Sequence, residues 1–266
     1  MHVSRTEADI AKTISRMAHR RSAWEIFTDF VEVSAITISN AVDWSQPQRD
    51  TREARYLQIV KNYDAAELQQ FANMLGSLVM QLEEKVSDVL GRAFHDLELH
   101  NKYTGQFFSP YPICQMMAAM TANSRDELQA IINARGFITA QEPCCGSGAM
   151  AIALAQHLKA EGINYQNHLH VTAIDIDLKC VHMAYMQLSF LHVPAVVIHG
   201  NSLSLEEHSH WYTPAHIMGG WNYRLSHPRQ INAPEAATAP PALTIDQIIP
   251  YFDVRLAGMN NTGATK

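Results

Sequence analysis

The sequence predicts an α/β fold in which a parallel sheet follows a helical region. Three observations lead there. Apolar residues recur every three or four positions through much of the first hundred residues. From residue 137 onward, short strand-like runs alternate with helical ones. A glycine-rich turn sits at the first strand–helix junction.

Taken in order, Trp24, Phe27, Val31, Ala35, Ile38 and Val42 share one helical face. Leu68, Phe71, Leu75, Leu78, Leu82, Val86, Val89 and Ala93 share another, over what reads as one long helix. Asp43 to Arg55, with Pro47 among polar residues, reads as the loop between them. Arg16, Arg20 and Arg21 form a basic cluster that reads as a solvated face. Near residue 101 the texture changes to Gly and Pro, and Ile113 to Thr121 is a short helical run. Phe137 to Glu142 reads as the first strand. Ser147 to Ala160 reads as a helix with Ser147 as its N-cap. His170 to Ile174 is the second strand. Asp177 can cap the next helix, whose apolar face is Val181, Ala184, Tyr185, Leu188 and Leu191. Ala195 to His199 is the third strand. Strands joined by helical crossovers make a parallel sheet. After Leu205 the period fades, residues 233–243 read as an Ala/Pro linker, and the last residues read as a frayed tail. The expected domains are 1–100, helical; 101–230, α/β; and 231–266, linker and tail.

Composition narrows the function classes. Among 266 residues, 20 are Lys or Arg and 26 are Asp or Glu, a net charge of -6. That balance argues against strong autonomous nucleic-acid binding and leaves weak or partner-assisted DNA binding open. No run approaches the ~20 apolar residues of a membrane helix. The N-terminal residues carry charges of both signs without an apolar core, so no signal peptide is expected. Cys114, Cys144, Cys145 and Cys180 lack the spacing of a disulfide framework or a zinc site, which suits a reduced cytoplasmic protein. Glu206, Glu207, His208 and His210 could hold a metal, but 14 histidines make a chance cluster the better reading. No metal site is expected.

The densest chemical signal is Glu142-Pro-Cys-Cys-Gly-Ser-Gly-Ala-Met150. Gly146 and Gly148 let backbone approach a ligand where a side chain would block it. The following helix points N–H groups at the same place. Asp175 closes the next strand, where a carboxylate can accept two hydrogen bonds from a ribose diol. Gly146-x-Gly148-x-x-Ala151 formally satisfies a dinucleotide fingerprint. S-adenosylmethionine is the alternative, favoured by three features. These are Pro143 after the acid, the Gly-Gln-Phe-Phe-Ser-Pro segment ahead of the loop, and Gly200-Asn-Ser-Leu203 after the third strand.

These motifs together resemble the adenine-N6 DNA methyltransferases, most closely the modification subunits of type I restriction–modification systems. The resemblance runs over roughly residues 101–205. Thr104, Gly105, Gln106, Phe107, Phe108, Ser109 and Pro110 are similar to the family's segment that helps hold the methionine moiety. Glu142, Pro143, Cys144, Gly146, Ser147 and Gly148 resemble its cofactor loop, with Cys144 where alanine is commoner. Asp175 and Ile176, before Asp177, match the acidic strand end that binds ribose. Met183 to His192 resembles the helix after it. Asn201, Ser202 and Leu203 resemble the adenine-contacting segment, with Asn201 where Asp is frequent. The resemblance implies a Rossmann-like S-adenosylmethionine-dependent methyltransferase fold with a truncated parallel sheet. It implies S-adenosylmethionine as cofactor and methyl transfer to adenine in DNA as the inherited activity.

One departure stands out. The family carries an Asn/Asp-Pro-Pro-aromatic tetrapeptide that grips the flipped base. No such tetrapeptide occurs in this sequence, so no catalytic residue is assigned. Trp211, Tyr212, Trp221 and Tyr223 could stack on a base, although packing suits them better. Target recognition is then expected from a partner subunit. The alternative is a catalytically inactive binding or regulatory module associated with restriction–modification. The oligomeric state is not assigned.

Overall fold

The computed structural model describes residues 9–99 and 108–228. The first described segment is helical: α1 (Ile10–Met17), α2 (Ala23–Val42), α3 (Gln46–Val60), α4 (Ala65–Glu84) and α5 (Val89–Asp96). The second opens with α6 (Tyr111–Thr121) and α7 (Arg125–Arg135). It continues through β1 (Ile138–Glu142), α8 (Ala149–Ala160), the single turn α9 (Tyr165–His168), β2 (Leu169–Asp175), α10 (Leu178–Phe190) and β3 (Ala195–Asn201). It ends with β4 (Glu206–Tyr212), α11 (Pro214–Met218) and α12 (Trp221–Ser226).

Local chemistry accounts for the helix ends. Ser22, Asp64, Ser124 and Asp177 each accept a backbone N–H from the first turn of α2, α4, α7 and α10. Asp64 and Ser124 complete capping boxes with Glu67 and Glu127. The segment read as a loop over Asp43 to Arg55 is instead largely helix α3. Pro47 falls in its first turn, where a missing N–H costs nothing. Arg55 then makes a forked ion pair with Glu32 on α2 (2.6 and 2.8 Å), and Arg52 pairs with Asp43 at 2.6 Å. The single long helix expected through Ala93 is two helices. Extended backbone at Lys85 ends α4, and Asp88 caps α5.

The described sheet has the order β1-β2-β3-β4. β1, β2 and β3 are mutually parallel, as the strand–helix alternation predicts. Register places Glu142 opposite Ala173 and Asp175 opposite His199, so the acid of β2 projects two residues beyond that of β1. The aperiodic stretch after Leu205 is β4, antiparallel to β3, followed by two short helices. Trp211 and Trp221 are buried, whereas Tyr212 and Tyr223 are exposed. Trp221 packs against Phe137 and His170 under the Arg224 guanidinium, and Arg52 lies over Trp211. One continuous core joins Ile14, Phe27 and Phe94 of the helical segment to Val171, Tyr185 and Val197 of the α/β part.

A buried imidazole chain lies beside Trp221. His216 Nε2 faces Asn222 Oδ1 at 3.0 Å, and His216 Nδ1 faces His170 Nε2 at 2.9 Å. With the amide oxygen as acceptor, His216 carries its proton on Nε2 and accepts from His170. Burial, then the neighbouring charges of His216 and Arg224, pull the His170 pKa down to about 3. A histidine kept neutral by folding stabilises the fold above its unfolded pKa of about 6.5 and loses that contribution as pH falls towards its folded value. The thermal midpoint is therefore expected to fall between pH 7 and pH 4. In His170→Gln, which keeps the donor but cannot protonate, that slope becomes shallower in a pH series of thermal melts. Trp221→Ala is expected to cost about 3–5 kcal/mol in denaturant titration, the range for an emptied aromatic site.

Candidate functional site

The carboxyl ends of β1, β2 and β3 converge around the glycine turn. The Cys145 N–H donates to Ile174 O at 2.8 Å, which seats the turn on β2. The Gly146 N–H donates to Asp175 Oδ2 at 2.8 Å, and the Asp177 N–H to Asp175 Oδ1 at 2.9 Å. The Ser202 hydroxyl, from the β3–β4 turn, donates to Pro143 O. The same turn is drawn in by Asn201 Oδ1, which accepts the Leu203 N–H at 2.9 Å. His199 Nε2 lies 3.2 Å from Ile176 O, tying the ends of β3 and β2 together.

Two glycines are required by geometry. Gly146 and Gly148 have φ of +53° and +89°, backbone that side chains disfavour. A Cβ on Gly146 would stand 3.1 Å from the Phe108 ring, and one on Gly148 would stand 3.3 Å from Ala184 of α10. Phe108 itself stacks at a tilt on Phe94 of α5, ring centroids 4.7 Å apart. The turn is thus gripped between α5, α10 and the end of β2.

The acids of the site are held unusually basic. Burial raises the Glu142 pKa to about 7, with the Asp175 charge adding to it against a hydrogen bond from the Cys144 N–H. Burial also raises Asp175, against hydrogen bonds from Asp177 and Gly146. The two acids stand at the carboxyl ends of neighbouring strands, and the Lys179 charge opposes the rise at Asp175. This donor set suits a ligand that brings a cationic amine and hydroxyl groups. Among the described residues, no group of three His, Cys, Asp or Glu is placed to ligate an ion. His210 instead faces Glu207 at 2.9 Å, and His199 packs on His208.

Most of the sequence-derived site residues meet here. Gly146 is bonded to Asp175 and Ser202 to Pro143, while Glu142, Gly148 and Asn201 belong to the same strand ends and turns. Cys144, Ile176 and Leu203 are exposed around them. Phe108 covers Gly146, and Ser109 and Pro110 lead from it into α6. Thr104, Gly105, Gln106 and Phe107 lie outside the described residues. Ser147 differs from expectation. It does not cap α8, whose N-cap is Gly148. Its side chain is 1 % exposed, and its hydroxyl donates to Asp88 Oδ2 at 2.7 Å. The left-handed turn at Gly148 displaces the helix start by one residue and turns Ser147 inward. Asp88 and Gln187 were not among the sequence candidates. An acid three residues before Gly91 and one amide in the apolar stripe of 181–191 were the signals that pointed to them.

A carboxyl group whose folded pKa is raised stabilises below its unfolded value and loses that contribution as pH rises through the folded one. For Glu142 this window runs from the ordinary glutamate range up through about 7. Glu142→Gln is therefore expected to raise the melting temperature at pH 8 and leave it unchanged at pH 4, read by calorimetry at both values.

No curated protein matches the chain. A class I S-adenosylmethionine-dependent methyltransferase assignment from Listeria monocytogenes is a structural neighbour with a TM-score of 0.38 and 11 % identity, over 74 % of this chain. The chain spans about half of that protein, 54 % of its length. The sequence profile of the N-6 DNA Methylase family matches residues 85–232, more than half of the 266-residue chain. The chain belongs to the N-6 DNA methylase family, and S-adenosylmethionine is the cofactor that this membership implies.

Proposed function

We propose that this chain binds S-adenosylmethionine at the ends of β1, β2 and β3 and serves methyl transfer to the N6 amine of adenine in DNA, with a partner that holds the target base. The observation that carries this reading is the pairing of Glu142 and Asp175, both held basic, around a glycine turn with two left-handed residues. The residues fit the cofactor. Glu142 suits its ammonium group, Asp175 its ribose hydroxyls, and Gly146 and Gly148 leave room for backbone contact. Asn201 and Ser202, after the core of β3, suit polar contact with the adenine edge. The cofactor supplies a methyl group on a sulfonium, which leaves as a neutral thioether. The chain's own part is to orient that methyl group and to exclude water from it.

The reading includes a partner because no polar-Pro-Pro-aromatic tetrapeptide occurs in the sequence. The buried positions of Trp211 and Trp221 also remove two rings from base stacking. The net charge of -6 favours DNA contact shared with a basic partner.

Calorimetric titration tests the cofactor half. Wild type is expected to bind with micromolar affinity, and Asp175→Ala to bind at least about tenfold more weakly, as for one lost charged hydrogen bond. Affinity should rise with pH through about 7 as Glu142 ionises. In Glu142→Gln that dependence should flatten. Transfer of labelled methyl to adenine-containing duplex tests the other half. Product formed only with a partner subunit present supports the proposal. Cofactor binding without transfer under any combination would leave a non-catalytic binding module as the function.

A further inference from the structure

A buried polar joint ties the glycine turn to the helical segment. Gln187 of α10 is fully buried and uses all four of its hydrogen-bonding positions. Its Oε1 accepts the N–H groups of Val89 and Leu90, at 2.8 and 3.0 Å, in the first turn of α5. Its Nε2 donates to Asp88 Oδ1 at 2.8 Å and to Ser147 O at 2.9 Å. Asp88 completes the joint by accepting the Gly91 N–H at 2.9 Å on Oδ1 and the Ser147 hydroxyl on Oδ2. Three separate pieces of chain meet in these two side chains: α5, the turn before α8, and α10.

Gly91 is part of the device. A Cβ at this position would land on the carboxylate of Asp88. An interior helical glycine normally costs about 1 kcal/mol relative to alanine. Here the side chain is missing at the one place where the cap needs its room. The other end of the joint is equally close, because Gly148 packs against Ala184, one turn before Gln187 on α10.

We propose that Gln187 and Asp88 are positioning residues that hold Ser147, and through it the glycine turn, in its ligand-ready shape, so that α5 governs the affinity of the cofactor site. The inference rests on the proposed S-adenosylmethionine site for its consequence, but not for its geometry. Both side chains are buried. Each acts through the Ser147 backbone and hydroxyl, and the adjoining Gly146 N–H is the group bonded to Asp175. A fully satisfied buried amide rigidifies what it joins. Once one partner is removed, buried groups on α5, α10 and the turn are left unpaired, and the turn loses its hydrogen-bonded tie to both helices.

Hydrogen exchange on the ligand-free full chain, read by mass spectrometry over residues 143–149 and over β3, tests this directly. The variants are Gln187→Met, Asp88→Ala, Gly91→Ala and the conservative Asp88→Asn. Asn can keep Oδ1 for Gly91 and Gln187 and offer its amide to the Ser147 oxygen. The turn is expected to exchange about tenfold faster or more in the first three and near wild-type rate in Asp88→Asn, with β3 unchanged throughout. Titration with S-adenosylmethionine should show Gln187→Met about tenfold weaker than wild type, and Asp88→Asn within about twofold. Unchanged exchange in Gln187→Met and Asp88→Ala would overturn the proposal. So would faster exchange in β3 as well, or an Asp88→Asn indistinguishable from Asp88→Ala, since either marks a general loss of stability. Faster turn exchange with undiminished affinity would overturn the control of the site. Failure of wild type to bind S-adenosylmethionine would instead refute the proposed function, and the exchange measurement would still decide the joint.

Discussion

The turn between β1 and α8 has to pass close to backbone on one side and to two helices on the other, and that crowding organises the molecule. Cys145 hydrogen-bonds across to β2, Gly146 to the carboxylate at the end of β2, and Ser147 to the cap of α5. Three consecutive residues therefore have three different partners. Only glycine at 146 and 148 leaves space for Phe108 and Ala184 to come in. The β1–β2 register then matters chemically. Because Asp175 extends two residues beyond the level of Glu142, its carboxylate reaches the Gly146 N–H instead of standing beside the other acid.

That placement has an electrostatic cost with a use. Burial raises both carboxyl groups, with the Asp175 charge adding to the effect on Glu142 and the Asp177 charge to that on Asp175. Among the described residues, no side-chain cation forms an ion pair with Glu142. A ligand with a positive amine relieves that cost, so part of the destabilisation becomes binding energy. In the proposed function, cofactor affinity and its pH response have a common origin in these two groups.

The helical segment is a wall of this site as well as a packing unit. The hydrophobic core is continuous from α1 to β4, and Phe94 of α5 supports the Phe108 ring that lies on Gly146. The family match begins at residue 85, within the stretch assigned from the sequence to the helical domain, and so takes in α5. Asp88, the cap of α5, and Phe94, within it, reach the turn from the same helix, one through Ser147 and the other through Phe108. One is directional and one is not, and together they leave the turn little freedom.

Much of this was legible in the sequence because it is local. Period-two and period-3.6 patterns marked three strands and the helices between them. Asp177 announced its cap, and a glycine turn followed by an acid at the next strand end located the site. Where the pattern misled, distant residues decided. Asp43 to Arg55 looks like a loop until Glu32 supplies a partner for Arg55. The stretch from Glu206 lacks a period because β4 is an edge strand with one apolar anchor, Trp211, held under Arg52. Ser147 has the identity of an N-cap, yet its hydroxyl is turned to Asp88, 59 residues earlier in the chain. Asp88 and Gln187 are 99 positions apart, and no window of sequence contains both. Sequence alone determined the fold class and marked the glycine turn and the acid at the end of the next strand. Which way the turn's side chains point, and how basic its acids are, follow from desolvation and from contacts between remote segments, and only the tertiary structure decided them.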